Sequence, residues 1–295
     1  MRYGLLKYST KNLGDDIQSL AARRFLPRVD VLVDREFMNR APGPDPFKII
    51  LNGWFTSRPD NWPPSPDLLA LFISTHITRE SVGPKERRMT ASDQLMQGAP
   101  LDYLRRHQPI GCRDLATVAL LRNHGVEAYF SGCLTLTLDR PVSQRQDVVW
   151  CVDAPKAVVR HVAKTVGVEV RTMTHILAPD EMDEDTDARF ARAEQYLQRY
   201  ATARLVVTSR LHCAMPCLAL GTPVVFVMAE PDNYRLSGLS ELTRAFTPEQ
   251  ILSDEADFDW RDPQPNPKDI GAMRRDLIDR CVAFTGRDTQ QITGR

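Results

Sequence analysis

Apolar residues along this chain arrive in short runs, separated by segments whose apolar positions recur at helical spacing. Residues 2–8 read as a strand, and residues 15–25 as an amphipathic helix with Ile17, Leu20, Ala21 and Phe25 facing inward. Further buried strands are expected at 29–33, 48–52 (Ile49, Ile50, Leu51) and 71–76, then short strands at 110–112 and 128–131. Helices are expected to close at 102–107 and to span 114–123. The stretch 58–66, rich in proline and aspartate, reads as a surface loop. A polar segment at 139–147 reads as a linker, and the alternation then resumes. It gives a strand at 148–152, a helix at 155–166, a strand at 168–173, an acidic surface loop at 180–187 and a helix at 188–200. A strand at 205–208, a helix at 211–220 and a strand at 223–227 follow. Pro263, Pro265 and Pro267 precede a last helix at 269–284.

Strands alternating with helices predict mainly parallel sheets with helices on both faces. A length of 295 residues exceeds one ordinary core and suits two. The expected fold class is therefore α/β, two Rossmann-like domains facing a cleft. The expected division is 1–140, 147–262, and a terminal helix and tail at 263–295.

Composition narrows the function classes. With 42% hydrophobic and 26% charged residues the chain is ordinary globular protein. Its formal net charge is zero, so no basic excess favours nucleic acid. Residues 1–8 lack the apolar run of a signal peptide, and no stretch approaches the roughly 20 apolar residues of a membrane span. A cytoplasmic location without a membrane span is expected. The six cysteines include no Cys-x-x-Cys pair, so neither a disulfide framework nor a metal is expected. Cys213 and Cys217 read as small buried residues on one helix face.

Open α/β sheets bind ligands beyond the carboxyl ends of their strands, which makes strand-end turns the candidates. The first is Thr208-Ser209-Arg210-Leu211-His212, where a buried strand meets a helix N-terminus that favours an anion. Arg210 adds a planar cationic fork, and His212 can act as a donor or general acid. The second turn, Gly111-Cys112-Arg113-Asp114, aims another cation past a strand end, with Asp114 placed to cap the next helix. In the third, Asn12-Leu13-Gly14-Asp15-Asp16, two carboxylates at a helix start can bind an acceptor hydroxyl or take its proton; capping alone explains Asp15 equally well. His76 and His175, each after an apolar strand, are weaker candidates.

These three segments, with Ser131-Gly132-Cys133-Leu134-Thr135 after the second and Gly221-Thr222-Pro223-Val224 after the first, resemble the polysaccharide pyruvyl transferase family. The resemblance implies a GT-B-like fold and transfer of the enolpyruvyl group of phosphoenolpyruvate onto two sugar hydroxyls as a ketal. It implies phosphoenolpyruvate as co-substrate rather than a bound cofactor, and a sugar or oligosaccharide acceptor, free or lipid-linked. Carried over, Arg113, Arg210 and His212 bind the donor; Ser209 and Leu211 of the same turn are expected to join them, and Asn12, Asp15 and His76 are the residues expected to bind the acceptor. His212, Asp15 and Asp16 are the candidates for proton transfer. Where the family commonly shows consecutive glycines after an early apolar strand, this chain has Asn52-Gly53-Trp54-Phe55.

A nucleotide-sugar glycosyltransferase is the nearest alternative. Such enzymes often carry a ribose-binding glutamate five residues before the glycine of a Leu-Gly-x-Pro segment; here Pro216 stands in that position before Gly221. A non-catalytic carbohydrate-binding relative is the third reading. Neither oligomeric state nor acceptor sugar can be read from the chain.

Overall fold

The computed structural model describes every residue except 41, 42, 44, 82–88, 140–143, 231, 232, 254 and 288–295. In chain order the first half runs β1 (Arg2–Lys7), α1 (Leu13–Arg23), β2 (Val31–Asp34), β3 (Phe47–Phe55), β4 (Leu68–Ile77), α2 (Ala91–Leu95), α3 (Gly98–Arg106), β5 (Ile110–Cys112), α4 (Leu115–Asn123) and β6 (Ala128–Phe130). The second half runs β7 (Val148–Val152), α5 (Lys156–Thr165), β8 (Glu169–Met173), α6 (Pro179–Met182), α7 (Thr186–Thr202), β9 (Leu205–Thr208), α8 (Leu211–Ala219), β10 (Val224–Val227), β11 (Arg244–Phe246), α9 (Pro248–Leu252) and α10 (Gly271–Thr285).

The fold is α/β with two parallel sheets. The first has the order β2-β1-β3-β4-β5-β6 and the second β11-β10-β9-β7-β8. The inner strands are apolar on both faces, as a sheet covered by helices requires. Around the first sheet Phe47, Ile49, Leu51, Phe55 and Phe72 form the core, and around the second Val149, Cys151, Val162, Leu205, Val207 and Val225.

Two compact units enclose these sheets. One comprises Met1–Ser9, Gln18–Leu134 and Arg275–Arg295; the other comprises Thr10–Ile17 and Thr135–Arg274. The main boundary between the units follows Leu134, and two segments leave the order of the chain. The end of α10 is held in the first unit, where Lys48 Nζ donates to the Phe284 carbonyl (2.6 Å) and Tyr3 Oη to the Thr285 carbonyl (3.1 Å). Residues 10–17 are held in the second, where the Leu13 N–H donates to the His175 carbonyl (2.8 Å) and the Leu177 N–H to the Lys11 carbonyl (2.7 Å). Part of the expected linker, 140–143, lies outside the described residues.

The acidic segment expected to be a loop contains α6 and the first residues of α7. Asp185 caps α7 by accepting from the Ala188 N–H (2.8 Å). Glu181 accepts from the Ala178 N–H (2.7 Å), so acidic side chains here close helix starts. Helix α8 ends in a Schellman turn. Gly221 takes φ +66°, the Gly221 N–H reaches the Leu218 carbonyl (3.1 Å), and the Thr222 N–H reaches that of Cys217 (2.8 Å).

Candidate active site

In the second sheet β7 lies between β8 and β9, and the ends of all three meet around Asp153, the residue after β7. Asp153 adopts φ +50°, a left-handed conformation that aspartate tolerates better than most residues. Its Oδ2 accepts from the His175 N–H (2.9 Å) beyond β8 and from Arg210 Nε (2.7 Å) beyond β9. Burial pushes this carboxyl up, but hydrogen bonds from Thr174 and the His175 amide and the charge of Arg210 outweigh it, holding Asp153 below its usual value. Asp153 is therefore an anion that sets the direction of Arg210.

The turn after β9 is tightly constrained. Thr208 Oγ1 donates to the Val152 carbonyl (2.9 Å) and accepts from the Arg210 N–H (2.9 Å), while Ser209 Oγ donates to the Asp153 carbonyl (2.6 Å). The Ser209 hydroxyl proton is thus spent on the scaffold. Arg210 stands at the N-cap of α8, its side chain 35% exposed. Only Nε bonds to a described residue, which leaves the two terminal amino groups of the guanidinium for a ligand. His212 is buried in the first turn of α8 and departs from helical geometry (φ −81°, ψ 15°).

The Asn12-Leu13-Gly14-Asp15 segment belongs to the same unit and packs against this turn. A Cβ at Gly14 would lie 3.1 Å from Asn12 Oδ1, 3.1 Å from His212 Cβ and 3.2 Å from His175 Nδ1. Alanine is the better helix former, so glycine at a helical position needs a reason, and this crowding supplies one. Asp15 accepts from Thr10 Oγ1 (2.8 Å), and Asn12 Oδ1 accepts from the Gly14 N–H (3.2 Å). Asp16 is fully buried and grips Arg189 of α7, with Nη2 to Oδ2 at 2.7 Å. Burial pushes the Asp16 carboxyl up to about 6 against the opposing pull of Arg189.

His175 is 1% exposed. Its Nε2 bonds the Tyr200 hydroxyl at 2.6 Å, and its Nδ1 has no hydrogen-bond partner among the described residues. Burial lowers its pKa to about 4, with Asp153 opposing, so the ring is neutral near pH 7.

In the first unit Arg113 follows β5 and is 2% exposed. Its neighbour Asp114 caps α4 through the Thr117 N–H (2.8 Å) and binds His76 Nδ1 (2.6 Å). Burial acts to raise the Asp114 carboxyl, yet bonding to His76, the His76 and Arg113 charges and the Thr117 amide hold it low. His76 is completely buried in this pair. Ser131 Oγ accepts from the Ser74 N–H (3.0 Å), tying the Ser131-Gly132-Cys133 segment to β4. At Asn52-Gly53-Trp54-Phe55 strand β3 shifts register against β4, with Gly53 at φ +125° and Asn52 Nδ2 donating to the Gln18 carbonyl (3.0 Å).

The structure thus gathers Asn12, Asp15, Asp16, Ser209, Arg210, Leu211 and His212 in one unit, while Arg113 and His76 lie in the other. Asp153, Arg189 and Tyr200 escaped the sequence reading. Asp153 carried a usable signal, an acid directly after a buried apolar strand. Arg189 and Tyr200 sit within a polar helix pattern and carried none. Among the described residues no three His, Cys, Asp or Glu side chains group as metal ligands would, and no helix is long and apolar enough to cross a membrane.

Solved structures with similar architecture include an uncharacterized protein from Klebsiella pneumoniae subsp. pneumoniae NTUH-K2044. It is 14% identical, covers 83% of this chain and 92% of that one, and has a TM-score of 0.48. Two structures of the wall teichoic acid polymerase TagF are each 10% identical over 97% of this chain and 83% or 84% of theirs, with TM-scores of 0.36 and 0.38. No curated protein matches the chain. Residues 96–230, which include Arg113, Asp153, His175 and the turn from Ser209 to His212, match the family model of the polysaccharide pyruvyl transferases.

Proposed function

We propose that the chain transfers the enolpyruvyl group of phosphoenolpyruvate onto two hydroxyls of a sugar, forming a pyruvate ketal and releasing phosphate. The observation that carries this reading is Arg210: Asp153 fixes it through Nε alone, and the free fork stands at the start of α8 inside the matched segment. A doubly anionic donor needs at least one such fork and an N–H-rich helix start.

In the proposed reaction His212 delivers a proton to the methylene carbon of the donor, creating an oxocarbenium-like centre at C2. One sugar oxygen bonds to that carbon and its proton passes to Asp15. The second hydroxyl then bonds to the same carbon as its C–O bond to phosphate breaks; the proton of that hydroxyl returns to His212, phosphate leaves, and the ketal is complete. Asp15 is preferred to Asp16 as proton acceptor because Asp16 is committed to Arg189. Asn12 is proposed to help orient the acceptor. In the first unit His76 is proposed to act through Asp114, which it binds beside Arg113.

The test is a thermal-shift titration with phosphoenolpyruvate, UDP, GDP and inorganic phosphate on wild type and Arg210→Ala. Phosphoenolpyruvate at one hundred times its Kd should stabilise wild type by about 2.7 kcal/mol, and Arg210→Ala should abolish both this shift and ketal formation. Full activity in that variant would remove the assignment. A shift with a nucleotide alone would replace it with a glycosyltransferase.

A further inference from the structure

The space a side chain at Gly14 would fill borders a buried polar atom that no described residue satisfies. Three groups define it: Asn12 Oδ1, His212 Cβ and His175 Nδ1, each within 3.2 Å of where a Gly14 side chain would begin. Gly14 sits in the first turn of the 11-residue α1. His175 is 1% exposed, and its Nδ1 lacks a partner among the described residues. Buried polar atoms are nearly always bonded, so an orphan at a helix start marks the place of a missing partner.

The identity of that partner follows from the protons. Burial keeps the Tyr200 phenol protonated. Its neighbours are His175 Nε2 and the Cys213 thiol, and an imidazole nitrogen accepts far better than sulfur. Tyr200 therefore donates to Nε2, and the neutral ring carries its own hydrogen on Nδ1. An N–H aimed into the recess requires an acceptor, and Arg210 is joined to His175 through Asp153.

We infer that the Gly14 recess is a ligand subsite in which His175 Nδ1–H donates to an oxyanion oxygen of the bound donor. The inference rests on the donor reading of the Arg210 turn and assigns a second contact to it. Tyr200 fixes the tautomer, and Gly14 keeps the recess open.

Two substitutions at one position separate binding from scaffolding. Asn places its amide near the Nδ1 position and abandons Tyr200; Gln places its amide near Nε2, keeping Tyr200 and emptying the recess. In thermal-shift titrations with phosphoenolpyruvate, His175→Gln should raise the half-saturating concentration about tenfold or more. His175→Asn should remain within about threefold of wild type. Gly14→Ala, which spares both His175 and Tyr200, should weaken binding as His175→Gln does, and it serves if the latter fails to fold. Equal affinity in wild type, His175→Gln and Gly14→Ala overturns the inference, as does an Asn variant as weak as the Gln one. If wild type ignores phosphoenolpyruvate but binds inorganic phosphate or UDP, and His175→Gln loses that binding, the pyruvyl reading falls and the subsite stands. No response to any of the three overturns both.

Discussion

Asp16 and His175 titrate in overlapping windows with opposite signs. Burial raises Asp16 from its usual 3.8 to about 6, so the folded protein holds that proton more tightly than the unfolded chain. Its contribution to stability therefore falls as pH rises from about 4 to about 6. Burial lowers His175 from 6.5 to about 4, so the unfolded chain takes that proton first. Its contribution is lost as pH falls from 6.5 towards 4. Each effect spans about 3 kcal/mol at most, and in wild type they largely offset each other. Urea midpoints measured from pH 4 to 7 should separate them. His175→Gln should lose stability as pH rises, and Asp16→Asn should gain it. Parallel profiles in the two variants would contradict this account. The reason lies in residues the sequence could not pair, because Arg189 stands 173 positions from Asp16 and reads as one more polar residue on α7. Arg210 and His212 were legible because a buried strand, a cation and an apolar helix adjoin in sequence.

At the scale of elements, legibility followed burial. Strands β5, β7 and β9 lie within their sheets, and apolar runs mark their bounds to the residue. Strand β11 is a three-residue edge whose side chains are only partly buried, so no apolar run announces it. Helix α9, five residues long, is defined by a capping box between Thr247 and Gln250 rather than by periodicity. The end of α8 was legible in outline, since Gly221 stands where a helix stop is expected. Its left-handed backbone makes a specific demand: Gly221→Ala should cost about 1 kcal/mol, read as a lower urea midpoint with an unchanged slope. Because Gly221 follows the far end of α8, phosphoenolpyruvate affinity should be unchanged. A neutral substitution would show that the turn relaxes to another closure.

At the scale of the whole molecule, neither unit is one uninterrupted stretch of chain. The alternation of strands and helices revealed that there are two sheets, but not that residues 10–17 cross to the second unit or that α10 ends in the first. Those exchanges rest on long-range partners such as Leu13 with His175 and Lys48 with Phe284, which no local pattern encodes. Breaking a buried pair by removing one partner costs about 3–5 kcal/mol. Arg189→Leu should accordingly destabilise the chain, read as a lower denaturant midpoint. An unchanged midpoint would show that the pair does not hold residues 10–17 in place.

The position of α10 also bears on the order of events during synthesis. The first unit contains most of residues 1–134, yet its Tyr3 and Lys48 find their partners at Thr285 and Phe284. Domains generally complete themselves in the order in which they leave the ribosome. Here the order is inverted: the second unit has its described segments once residue 274 has emerged, while the first waits for the residues beyond it. For most of translation the early unit is unfinished, and the late-made end of α10 is its closing piece.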